Sequence, residues 1–213
     1  MDYIKICGLK RREDIRVSIE NGANVVGFIY NVPESPRNLE KSKIITLLKE
    51  IPKNIITVIT FRAKNAREVD TVMNEINTNY YQVHCSFNIQ DLNKFSIIQK
   101  KKLIIGLKAN QSNKEEVINQ INLNGNQFFA FLIDNSEGSG KDLNYELISE
   151  IQRKTIGKKI IIAGGINIDN IELLIEKLDP YGIDLSSSLE SERGVKDHVK
   201  IEQFLEKINK FIK

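Results

Sequence analysis

The chain has 213 residues, 41% of them hydrophobic and 28% charged, enough for the core of one large domain or two small ones. A net charge of +3, with no basic run interleaved with aromatics, argues against nucleic acid as a partner, and no apolar stretch approaches the roughly 18 residues of a membrane span. Cys7 and Cys85 are too few for a disulfide framework, and Met1-Asp2-Tyr3 enters a strand with no charged-then-apolar leader, so the cytoplasm is the expected compartment.

The first predicted strand is Tyr3-Ile4-Lys5-Ile6-Cys7-Gly8. Alternation turns Ile4 and Ile6 one way and Lys5 and Cys7 the other. That second face reads as the lining of a pocket, with the thiol at its mouth and a cation nearby to favour the thiolate. Taken alone, a cysteine at a strand end is more often a small buried hydrophobe. A helix is predicted over 11–22, closed by Gly22. The run 25–30 is apolar throughout, as in a strand buried on both faces. A polar loop with Pro33 and Pro36 leads to a helix over 40–51. Strand 55–60, helix 65–76 and strand 80–84 follow, then a weaker helix through Asp91 and Phe95. The second half repeats the rhythm: strand 103–107, helix 113–123 with Ser112 as N-cap, strand 128–133, helix 144–153, strand 160–163, helix 169–178, strand 183–186 and helix 197–211.

About eight βα units without a linker predict a parallel sheet, and over this length a single closed (β/α)8 TIM barrel spanning 1–213. An open doubly wound sheet is the alternative. Short helix-to-strand turns and long polar loops after strands two, six and eight favour closure, because barrel enzymes elaborate the face at the C-terminal strand ends.

Alternation along the other strands places Gln82 with His84, Leu132 with Asp134, and Asp184 with Ser186. Together with Cys7, these put polar groups on one rim at strands one, four, six and eight. Each has a plain structural explanation as a turn former, cap or surface residue; their coincidence on one rim points to a site. Ala163-Gly164-Gly165-Ile166 after strand seven and Ser186-Ser187-Ser188 after strand eight lie where such barrels hold phosphate on backbone N–H groups. Arg37, in the loop after strand two, suits a substrate carboxylate, since its planar fork pairs bidentately. Gly138-Ser139-Gly140-Lys141 lacks the spacing of a P-loop and reads as a loop closing over a ligand.

In this order, Lys5-Ile6-Cys7-Gly8, Ser35-Pro36-Arg37, Gln82-Val83-His84, Asp134 with Gly138-Ser139-Gly140-Lys141, Ala163-Gly164-Gly165-Ile166, Asp184-Leu185-Ser186-Ser187 and Gly194-Val195-Lys196-Asp197 resemble the phosphoribosylanthranilate isomerase family of tryptophan biosynthesis. The resemblance runs along nearly the whole chain. It implies an Amadori rearrangement of an aminoaldose to an aminoketose, without metal or cofactor. It implies Asp134 as general acid at the furanose ring oxygen and Cys7 as general base at C2′. Arg37 would hold the anthranilate carboxylate, Gln82, His84 and Asp184 would contact substrate, and Gly164, Gly165, Ser186 and Ser187 would hold phosphate. The expected partner is a phosphorylated small molecule, with the chain a monomer or homodimer that can contact neighbouring pathway enzymes.

Three positions depart from the family pattern. Cys85, Glu137 and Ser188 stand where glycines are usual, and Ser188 threatens a backbone N–H needed for phosphate. Other sugar-phosphate barrels remain alternatives, but they call for an aspartate in place of Cys7 with an internal half-barrel repeat, or for metal-ligating histidines. A non-catalytic barrel binding a phosphorylated metabolite is a third.

Overall fold

The computed structural model describes residues 1–135 and 143–211. Eight parallel strands run β1 (Tyr3–Cys7), β2 (Val25–Tyr30), β3 (Ile56–Ala63), β4 (Tyr80–Cys85), β5 (Leu103–Lys108), β6 (Ala130–Asp134), β7 (Ile160–Ala163) and β8 (Gly182–Leu185). Each pairs with the next, and β1 pairs with both β2 and β8, so the sheet closes into the expected barrel rather than the open alternative. Helices α1 (Arg12–Glu20), α2 (Lys41–Leu48), α3 (Ala66–Glu75), α4 (Ile97–Lys100), α5 (Lys114–Asn124), α6 (Tyr145–Lys154), α7 (Ile171–Leu178) and α8 (His198–Phe211) alternate with the strands.

Alternation sorts the apolar residues into two clusters. Ile4, Ile6, Val26, Phe28, Ile105, Ile133 and Ile162 belong to the large cluster shared with the helices. Their neighbours Tyr3, Val25, Val58, Ile104, Leu132 and Ile161 form a separate cluster, the filled interior of the barrel. Above that layer the interior positions turn polar, with Lys5 level with Asp184 on β8 and Thr60 on β3 level with Gln82 on β4. Burying a lysine there needs room. Gly27 on β2 supplies it, since a Cβ on that residue would come within 2.6 Å of Lys5 Cε.

Two local expectations differ from the structure. The weak helix after β4 is a 3-10 turn over Ile89–Lys94 followed by the four-residue α4, whose start carries a Ser96–Gln99 capping box. Ser112 does not cap α5: its hydroxyl donates to the Asn110 side chain at 2.6 Å, and the helix begins after Asn113. Asn110 and Asn113 close that turn on themselves, and the serine hydroxyl is taken up inside it. Two elements lie outside the strand–helix alternation. Asn38–Leu39 pairs with the end of β2, and Glu190–Glu192 forms an antiparallel hairpin with Val195–Lys196 in the loop after β8.

Candidate active site

The sequence-predicted residues converge on a cavity of about 630 Å3 at the C-terminal ends of the strands, lined by Cys7, Arg37, Gln82, His84, Asp134 and Asp184 among others. The glycines of loop seven and the serines of loop eight form another part of its wall. Cys7 ends β1 with its thiol buried, and Sγ lies 3.6 Å from Thr60 Oγ1. One alternation below, Lys5 is wholly buried. Its Nζ donates to both Asp184 oxygens at 2.9 and 3.0 Å and to Thr60 Oγ1 at 3.3 Å. Burial drives the Lys5 pKa down, but the adjoining Asp184 carboxylate and Cys7 outweigh it, so the net shift is upward and the ammonium is retained.

The cation predicted beside Cys7 is therefore present, but Asp184 neutralises much of its charge. Asp184 also accepts from Gln82 Nε2 at 3.0 Å. It is thus part of a Lys5–Asp184–Gln82 network at the cavity floor, with Lys5 below the lining residues. Gln82 Oε1 is buried with no partner among the described residues.

Asp134 ends β6 and is half-buried. His84 stands half-buried beside it, and desolvation pulls the imidazole pKa down against the raising influence of Asp134 and Asp184. The ring is neutral near pH 7, able to accept or donate at a substrate hydroxyl. Its Nε2 lies 3.4 Å from Gln82 Nε2.

Arg37 reaches the cavity from loop two, as expected, but it does not arrive unpartnered. Nε and Nη2 each donate to a Glu190 oxygen at 2.7 Å. Glu190 and Lys196, both buried, come from the loop-eight hairpin and are absent from the sequence-derived site. A buried glutamate in a polar loop has no periodic signature, so only the neighbouring Gly194-Val195-Lys196-Asp197 stretch hinted at this region. Thr60 was likewise missed, although alternation from Val58 places it on the interior face.

Loop seven is shaped by Gly164 and Gly165, with φ of +79° and +70°, a backbone that side-chain-bearing residues adopt only with strain. In loop eight, Ser187–Leu189 form a 3-10 turn, and Ser188 has no positive φ, so the usual glycine is not needed for backbone geometry there. Ser186 Oγ donates to the Cys7 carbonyl at 3.3 Å, tying loop eight to β1. Cys85 and Cys7 are both free thiols, and burial lifts the Cys85 pKa to about 12, which keeps it protonated and unreactive. Gly138-Ser139-Gly140-Lys141 and Glu137 lie outside the described residues.

A family model described as N-(5'phosphoribosyl)anthranilate (PRA) isomerase matches residues 4–207. The N-(5'-phosphoribosyl)anthranilate isomerase of Clostridium acetobutylicum is 32% identical over 216 residues, covering 99% of this chain and 100% of that protein. The protein of the same name from Chloroherpeton thalassium is also 32% identical, covering 99% of this chain and 96% of its own. Among solved structures, phosphoribosyl anthranilate isomerase from Thermotoga maritima superposes with a TM-score of 0.83 at 27% identity, covering 99% of this chain and 100% of that one. A phosphoribosyl anthranilate isomerase in complex with reduced 1-(o-carboxyphenylamino)-1-deoxyribulose 5-phosphate gives 0.81 at 25% identity, covering 99% and 100%. Sequence and fold agree from the first strand into the last helix: the chain belongs to the N-(5'-phosphoribosyl)anthranilate isomerase family.

Proposed function

We propose that this barrel carries out its family's isomerisation in tryptophan biosynthesis with Asp134 as general acid and Cys7 as general base. The observation that supports the assignment most directly is their common cavity, which has a guanidinium on one wall and a glycine-shaped loop on another. The substrate, N-(5-phosphoribosyl)anthranilate, has an anion at each end. Its phosphate is assigned to Gly164, Gly165, Ser186 and Ser187, and its ring carboxylate to Arg37. Gln82, His84 and Asp184 are assigned to the sugar between them.

Held this way, the sugar undergoes one proton gain and one proton loss. Asp134 protonates the ring oxygen while the anthranilate nitrogen lone pair expels it, giving the open-chain iminium. The Cys7 thiolate removes the C2′ proton, and the released electron pair forms the C1′–C2′ double bond and returns the lone pair to nitrogen. The enolamine then tautomerises to the ketone. The overall step is a redox-neutral exchange of protons, suited to an acid and a base at separate points of one cavity. We read residues 1–213 as one domain, cytoplasmic, working as a monomer or homodimer; one Thermotoga maritima relative is described as dimeric.

The test follows the loss of phosphoribosylanthranilate fluorescence, with the labile substrate made in situ and a coupled synthase drawing off product. Wild type is expected to turn over, and Arg37→Met to raise KM about 30-fold or more, the cost of truncating one partner of a buried charge pair. Absence of turnover by folded wild type would refute the isomerase reading. At loop seven, Gly165→Ala puts a side chain at a φ of +70°, a strain of about 1–2 kcal/mol. It should weaken competitive inhibition by inorganic phosphate at least several-fold; undiminished inhibition would move the phosphate elsewhere.

A further inference from the structure

The two ends of the cavity are linked by one buried carboxylate. Glu190 accepts from Arg37 Nε and Nη2 at 2.7 Å each, from the Gly194 N–H at 2.9 Å and from Lys196 Nζ at 2.9 Å. Lys196 Nζ donates in turn to the Ser186 carbonyl at 2.8 Å, and Lys200 Nζ to the Glu190 carbonyl at 2.7 Å. The hairpin is thereby fastened to loop eight and to α8. Burial would raise the Glu190 pKa, but Arg37, the Gly194 N–H and Lys196 outweigh it and bring it down to about 2, so the group is a carboxylate at any working pH.

A guanidinium has two forks for carboxylates: the side formed by Nε and Nη2, and the end formed by Nη1 with the outer hydrogen of Nη2. Glu190 fills the side fork. Nη1 has no hydrogen bond among the described residues, and Arg37 lines the cavity. We propose that Glu190 is a positioning residue that locks the Arg37 guanidinium from behind, so that its end fork is presented, already oriented, to the carboxylate of the substrate's aromatic ring. This rests on the reading of Arg37 as the carboxylate ligand. The physical gain is preorganisation. An arginine on a loop otherwise loses side-chain freedom on binding, and here the Glu190 ion pair orders it before substrate arrives. The loop that carries Ser186 and Ser187 thus also sets the orientation of the group assigned to the opposite anion. Lys196 supplies the second cation that keeps the carboxylate ionised when buried between them.

Two probes separate positioning from mere structural support: reduced 1-(o-carboxyphenylamino)-1-deoxyribulose 5-phosphate and its counterpart without the ring carboxylate. Their Kd ratio is measured for wild type, Arg37→Met, Glu190→Gln and the charge-balanced double variant Glu190→Gln/Lys196→Met, which avoids leaving two buried cations unneutralised. The preference for the carboxylated probe is expected to fall at least tenfold in both Glu190 variants, with the other probe bound within about threefold of wild type. Equal weakening of both probes would reduce Glu190 to a structural residue and overturn the inference. Tighter binding of the carboxylated probe would overturn it too, by showing that Glu190 competes for Arg37. If Arg37→Met leaves the preference intact, the reading of Arg37 itself fails; if Arg37→Met abolishes it and the Glu190 variants do not, only the positioning role falls.

Discussion

Cys7→Ala and Asp134→Asn are each expected to lower kcat by about 10²–10⁴, the usual contribution of a positioned acid or base. Both changes remove the reactive group with little change of volume. Cys7 is buried, but its hydrogen bond to Thr60 Oγ1 is long, at 3.6 Å, so the alanine variant should melt close to wild type. Asparagine keeps the shape of Asp134 and removes its acidity. In the proposed pose the substrate ends are held elsewhere, so Kd for the reduced product analogue should change little in either variant. Measuring kcat beside that Kd distinguishes loss of chemistry from loss of binding. Turnover that survives Cys7→Ala would keep the family's reaction but remove the thiol from it. Loss of affinity equal to the loss of kcat would make either residue a binding group rather than a proton carrier.

Lys5→Met is expected to destabilise the barrel by about 3–5 kcal/mol, because it strands the Asp184 carboxylate in the interior without its cation. For a chain of this size that corresponds to a fall in Tm of about 6–20 °C. The double variant Lys5→Met/Asp184→Leu removes both charges and should recover most of the loss, since a buried pair contributes far less than the penalty of breaking it. The pair also dictates a pH response. The Lys5 pKa is raised in the folded state, so its contribution is complete below the unfolded lysine value near 10.4 and is lost as pH rises through the higher folded value. Wild type should therefore lose this stabilisation only in strong alkali, and Lys5→Met should lack that alkaline limb. A Lys5→Met variant melting within about 2 °C of wild type would show that Asp184 is rehydrated or protonated at little cost.

The barrel and most of its rim were legible because both follow from short-range rules. Alternation with period two assigns Cys7, Gln82, His84, Asp134 and Asp184 to one face from their own strands alone, and the repeated strand–helix rhythm assigns that face to the interior. The glycine pair of loop seven was equally readable, since Gly164 and Gly165 adopt a φ that other residues avoid. Local signals were weaker where polar side chains compete for one turn, as when Asn113 rather than Ser112 precedes α5.

Tertiary structure decided which charges meet. Lys5 does act on Cys7, but closure of β1 against β8 also sets it level with Asp184, 179 residues away, and pairs it there. The sequence offers Arg37 to a substrate carboxylate, yet in the fold it already holds one from Glu190, 153 positions along the chain. The faces follow from local sequence, because a side chain's direction depends on its own backbone. Only the closed barrel decided the ion pairs, because the energy of a buried charge depends on the one group brought within about 3 Å of it, whatever their separation along the chain.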